Sequence, residues 1–218
     1  MKQKQIDDPH VIKLNYTCLV SSFSSMIYRL AYTEDHLGRN APITVGILIA
    51  DYRRSFCKEN IIDQLERLDC KSGPLIDFYL PGYNQITRRT SVSEENFKLK
   101  GKLYSFSRRE YNQFIDELEG KGVKVTGRTQ LLLVPYENRR LYFREAMNFD
   151  LEKDESSGKI ESTKLFFDFI IEISRKTTEF NVFKKKIKQR RSKCVFLEFI
   201  KEELPSAFLS WLTSPFTK

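Results

Sequence analysis

The chain has few of the residues on which most enzyme chemistry is built. Only two histidines, His10 and His36, occur in 218 residues, and no HxH, HExxH or Cys/His cluster gathers ligands for a transition metal. The four cysteines, Cys18, Cys57, Cys70 and Cys194, are scattered without a CxxC or CxxxC pair. That spacing excludes a zinc ribbon and a dense disulfide framework and fits reduced thiols in a cytoplasm. The glycines form neither GxGxxG nor GxxxxGK[ST], so a nucleotide cofactor has no signature, and no GxSxG elbow is present. No uncharged apolar run reaches the roughly 18 residues of a membrane span, and MKQKQIDDPHVIKLNY lacks the apolar core of a signal peptide. The sequence therefore predicts no metal, no cofactor and no membrane span.

What the chain does have is aromatic area and a localised positive charge. Seventeen Phe and ten Tyr give ample surface to bury against the entropy of ordering one generous domain. The net charge of +8 is concentrated in 184–193, where Lys184, Lys185, Lys186, Lys188, Arg190, Arg191 and Lys193 stand together; without those seven it falls to +1.

Periodicity orders the rest. Tyr16, Leu19, Val20, Phe23, Ile27, Leu30 and Ala31 recur at helical spacing, with Asn15 placed to cap the first turn and Gly38 to end the helix. ITVGILIA (43–50) is a continuous apolar run of the kind buried on both faces of a sheet. A helix over 59–69 leads to a second apolar strand, LIDFYL (75–80), and two such strands joined by a helix are most simply parallel. Residues 81–102 show little periodicity and read as an insertion or surface loop. Ser107 with Glu110 makes a capping box ahead of a helix carrying Tyr111, Phe114, Ile115 and Leu118. Strands 130–136 and 141–149, joined by Glu137 to Arg140, predict a hairpin, and a helix with Phe166, Phe169, Ile170 and Ile173 follows. The expected division is an α/β core over 1–178 and a basic amphipathic helical extension over 179–218.

Two stretches resemble the thioredoxin family. In Asp51-Tyr-Arg-Arg-Ser-Phe56-Cys57-Lys-Glu-Asn60, an acid, an aromatic, three variable positions, an aromatic and a cysteine follow the buried strand; Asn60 stands where that family has its second cysteine. In Gly127-Arg-Thr129-Gln-Leu131, Thr129 stands at the family's cis-proline position. The order of elements matches a thioredoxin-like mixed sheet flanked by helices, with the first strand missing. The resemblance implies Cys57 as a nucleophile without its resolving partner, and a helix N-terminus with Arg53, Arg54 and Lys58 nearby would favour its thiolate. The plainer reading is a cysteine packed under the sheet edge.

Asp77 interrupts an apolar strand and reads as an ion-paired acid or, with the Asp150-Leu-Glu152-Lys153 pattern, as a fragment of a nuclease-like constellation. The strongest signal is the basic segment. Phe180, Phe183 and Ile187 recur at helical spacing among cations, so one stripe can bury while the other meets anions. The reading is a non-catalytic binding module, docking nucleic acid or an acidic protein through that helix with Arg53 and Arg54 as further cations. The alternatives are a single-cysteine thiol enzyme using Cys57 and a merely solvated basic face.

Overall fold

The computed structural model describes residues 17–37, 43–72, 75–86, 96–99, 101–177 and 179–189. A mixed sheet forms its middle layer: β1 (Thr17–Val20), β2 (Ile43–Ile49), β3 (Ile76–Pro81), β7 (Gln130–Glu137), β8 (Arg140–Leu141) and β9 (Met147–Asp150). The order is β1-β3-β2-β7, with β8 and β9 both on the far side of β7. β1, β3 and β2 are parallel, and β7 runs antiparallel to β2, as β9 does to β7.

Alternation along the central strands builds two cores. Val45, Ile47 and Ile49 of β2 face one side with Tyr79, Leu132 and Val134, under α1 (Phe23–Leu37) and α4 (Arg108–Gly120). Leu48, Phe78, Leu131 and Leu133 face the other side, under α2 (Ser55–Asn60), α3 (Leu65–Lys71) and α6 (Thr163–Ser174). The apolar run of β2 is continuous because both faces are covered. Gly46 sits where a Cβ would lie 2.6 Å from Cδ1 of Phe78, so the Phe78 ring occupies the space a side chain would need.

Several expectations are corrected. Thr17–Val20 is a strand, not the opening of a helix: it pairs in register with Phe78 to Pro81, and α1 begins only at Phe23, where the Ser22 hydroxyl accepts the Ser25 amide at 3.1 Å. A first strand is therefore present; Asn15, Tyr16 and Gly38 lie outside the described residues. The helix expected over 59–69 is the end of α2 and then α3, joined by a short 3₁₀ turn at Ile62–Gln64. The segment 81–102 is not simply a surface loop, because β4 (Tyr83–Gln85), β5 (Asn96–Leu99) and β6 (Lys102–Phe106) make a second, three-stranded antiparallel sheet. The strand expected over 141–149 is interrupted by a 3₁₀ turn at Phe143–Glu145.

The β7–β8 hairpin turns on Asn138 and Arg139, both at positive φ (51° and 59°), as a two-residue turn matched to strand twist requires. Ser107 caps α4 by accepting the Glu110 amide at 3.4 Å. Glu110 does not complete the box, because its carboxylate takes the Asn84 amide and ties α4 to β4. After α5 (Leu151–Ser156) and α6, residues 180–189 are helical and are called α7 here. Phe183 and Ile187 are buried in the same apolar cluster as Phe78 and Phe167, with Phe180 packed against it. No helix among the described residues is long and apolar enough to cross a membrane.

Candidate functional site

Register brings four chain segments together at one end of the sheet. Ile49 pairs with Gln130, and Gln130 with Asp150, so the β2–α2 turn, Thr129 and the start of α5 converge there. Gly82 adds β4 to the same end: its φ of +85° and the 2.7 Å that would separate a Cβ from Tyr111 Cβ allow only a glycine at this reversal. Tyr83 follows, buried, with its hydroxyl donating to the Ala50 carbonyl at 3.0 Å and standing 3.7 Å from Cys57 Sγ.

That geometry keeps Cys57 protonated. The carbonyl of Ala50 can only accept, so the single Tyr83 proton is committed to it and the thiol is left to donate to the Tyr83 oxygen. Cys57 has no exposed surface, and burial pushes its thiol up to about 12, with the charges of Asp51 and Glu152 adding to the rise and Lys58 opposing it. The thiolate expected from the helix end and its cations is not what the surroundings favour. Those cations are committed elsewhere: Arg53 pairs with Asp51, Arg54 forks onto Glu152, and Lys58 Nζ sits 4.9 Å over the Tyr52 ring. Cys70 is exposed, and Cys57 and Cys70 are both free thiols.

Glu152 is the hub of this end. Its Oε1 accepts the Thr129 amide and hydroxyl, each at 2.8 Å, and Arg54 Nε at 2.9 Å, while Oε2 takes Arg54 at 2.5 Å. Burial alone would raise its pKa, but the Arg54 and Thr129 donors together hold the carboxyl below its ordinary range. Asp51 follows the same pattern, burial opposed and outweighed by hydrogen bonds from Arg53. Every carboxylate and guanidinium of this ring is thus matched by an intramolecular partner. Thr129 is fully buried, and no cis peptide occurs among the described residues.

A ladder of rings closes the site from the small sheet. Phe97 of β5 stacks on Tyr52 at 5.4 Å and on Tyr104 at 5.8 Å, and meets Tyr83 edge-on at 5.6 Å. Burial pushes the Tyr83 and Tyr111 hydroxyls well up from their usual values and raises that of Tyr52. Sequence reasoning passed over Tyr83 and read Tyr111 only as a position of its helix; the Pro81-Gly82 dipeptide was the available signal, since it turns the chain back across the strand ends.

The nuclease-like set does not assemble. Asp77 is buried in mid-sheet opposite Val45, Asp150 caps α5 and pairs with Arg128 at 3.0 Å, and Glu152 is engaged as described. Among the described residues no three His, Cys, Asp or Glu side chains are grouped to hold a metal ion.

The basic helix divides as its spacing predicts. Phe183 and Ile187 are each 1% exposed, whereas Lys185 and Lys188 are exposed and Lys184 and Lys186 half-buried. Lys184 Nζ donates to the Glu145 carbonyl at 3.1 Å, which fixes the helix to the turn before β9. Arg190, Arg191 and Lys193 lie outside the described residues. Comparison with family models, with curated proteins and with solved structures finds no match to this chain.

Proposed function

We propose that the protein is a non-catalytic binding module on a thioredoxin-like framework, and that the cationic face of α7 docks a polyanion, either nucleic acid or an acidic protein surface. The observation that carries this reading is the division of α7 into a stripe anchored in the core and a side on which Lys185 and Lys188 are exposed, with Lys184 and Lys186 half-buried at its edges. A helix seated through Phe183 and Ile187 holds its cations in fixed array, which lowers the ordering cost of meeting an anion. Phosphate neutralisation by such a face gives salt-dependent affinity without sequence preference. Arg53 and Arg54, paired within the molecule, belong to the framework rather than to the docking face.

The thioredoxin-like reading is supported by the strand order β1-β3-β2-β7-β9, by helices on both faces, and by the convergence of the β2–α2 turn with Thr129. The free thiols of Cys57 and Cys70 support a cytoplasmic location. Burial of Cys57 beneath Tyr83 favours binding over thiol catalysis.

The test is fluorescence anisotropy with short RNA, short DNA and an acidic peptide across a salt series. The chain is compared with a variant in which Lys184, Lys185, Lys186, Arg190 and Arg191 are neutralised. The reading expects affinity that falls steeply with salt and a shallower slope in the variant. Salt-insensitive behaviour, equal in the two proteins, overturns it.

A further inference from the structure

We propose that the groove between α1 and β4 is a separate binding site, which takes a nucleotide unit by stacking its base on Tyr28. The groove encloses about 710 Å³, floored by Leu19 and Val20 and walled by the outer face of α1 and by Tyr83, Asn84 and Gln85. That volume lies within the roughly 300–1,000 Å³ typical of small-ligand sites.

The composition of α1 singles the groove out. Phe23, Met26 and Leu30 bury one face, and a surface helix ordinarily carries charge on the other. Here Ser25, Tyr28 and Tyr32, at helical spacing, line the groove instead, with Arg29 beside them and Ser21 just before the helix. Tyr28 is 72% exposed, far more than any other large apolar side chain described, and its ring lies 6.3 Å from that of Tyr32 at an interplanar angle of 32°.

An aromatic pair, a guanidinium, serine hydroxyls and a carboxamide make a specific combination. The rings offer a planar surface to a base, the guanidinium an anchor for phosphate, and the hydroxyls and Gln85 partners for base edges and sugar. None of the described residues lining the groove is acidic, and the Glu110 carboxylate behind its wall is taken by the Asn84 amide. α1 covers the face of the sheet opposite to the one that seats α7, so this site stands apart from the proposed docking face.

The experiment titrates the full chain with a fluorescent single-stranded oligouridylate, read by anisotropy, and with adenosine monophosphate, read by quenching of tyrosine fluorescence. Tyr28→Ala, at an exposed position, is expected to weaken binding roughly 5- to 150-fold, the span of one aromatic stack, and Tyr28→Trp to retain it. Loss with both probes assigns the site to free nucleotides as well as strands; loss with the oligonucleotide alone assigns it to strands. Equal affinity of wild type and Tyr28→Ala for both probes, or no saturable binding of either, overturns the proposal. A Lys185→Gln/Lys188→Gln variant separates the two sites, because loss of phosphate contacts flattens the salt slope whereas loss of a stack lowers affinity at every salt concentration.

Discussion

Glu152 accepts two hydrogen bonds from one residue: the Thr129 amide and the Thr129 hydroxyl both reach its Oε1 at 2.8 Å. Thr129 is fully buried and immediately precedes β7, so the carboxylate serves as the acceptor that the strand's first free amide requires at the end of the sheet. Arg54 completes the contact from the β2–α2 turn.

Replacing this acceptor leaves a buried donor without a partner. Glu152→Ala is expected to cost about 1–3 kcal/mol in urea-induced unfolding, the range for an orphaned buried polar group. Glu152→Gln keeps one acceptor oxygen and should lose less.

The acid limb follows from the same groups. Glu152, Asp51 and Asp168 are all held below their ordinary values; burial works against this, but Arg54 and Thr129, Arg53, and Lys71 with Arg67 outweigh it in turn. A carboxyl lowered in the folded state stabilises above its unfolded pKa and loses that contribution as pH falls through the folded value. Thermal midpoints are therefore expected to hold steady near neutrality and drop once pH passes below 4.5, the ordinary value for Glu152, with a shallower drop in Glu152→Gln.

Cys57 contributes to the alkaline limb with the opposite sign, as do the raised hydroxyls of Tyr83 and Tyr111. The Cys57 thiol stays protonated in the fold up to about 12, while the unfolded chain ionises from 9.0, so stability falls as pH rises through that interval. At neutral pH, iodoacetamide is expected to modify exposed Cys70 readily and to leave Cys57 intact until denaturant is added, as peptide mass spectrometry can read. Labelling of native Cys57 as fast as Cys70 would contradict the Tyr83 contact.

Gly46 offers a test of the central sheet. Gly46→Ala drives a methyl into the Phe78 ring, which is fully buried, and overpacking of that kind costs about 1–3 kcal/mol. Pairing it with Phe78→Leu should recover part of the loss, so the double variant is expected to be less destabilised than the sum of the singles.

Ser107→Ala should cost about 0.5–2 kcal/mol, the usual cost of losing a helix cap. Glu110→Gln is expected to weaken the link to Asn84 while leaving the cap intact, since the Ser107 hydroxyl accepts the Glu110 backbone amide. Thermal melts of the two variants separate these contributions.

Much of the layered core was legible from the sequence because its signals are local. The continuous run at 43–50, the similar apolar run of β7 and the capping serine each need only neighbouring residues to be read. Thr17–Val20 misled because its apolar residues run on into α1 at spacing that also fits a helix, and only pairing with β3 decides between them. The small sheet was missed because its strands are stabilised by rings contributed from the β2–α2 turn, a contact made across more than forty residues. Glu152 was noticed for its charge but not for its role, which depends on a register that places Thr129 and Arg54 beside it.

Seating the lysine-bearing helix through Phe183 and Ile187 has a thermodynamic corollary. A polyanion that binds only the seated form adds its binding free energy to that of folding, so occupancy would register as a higher melting temperature of the whole domain. The helix would then work as a tension member between ligand and interior, and calorimetry alone could follow its loading.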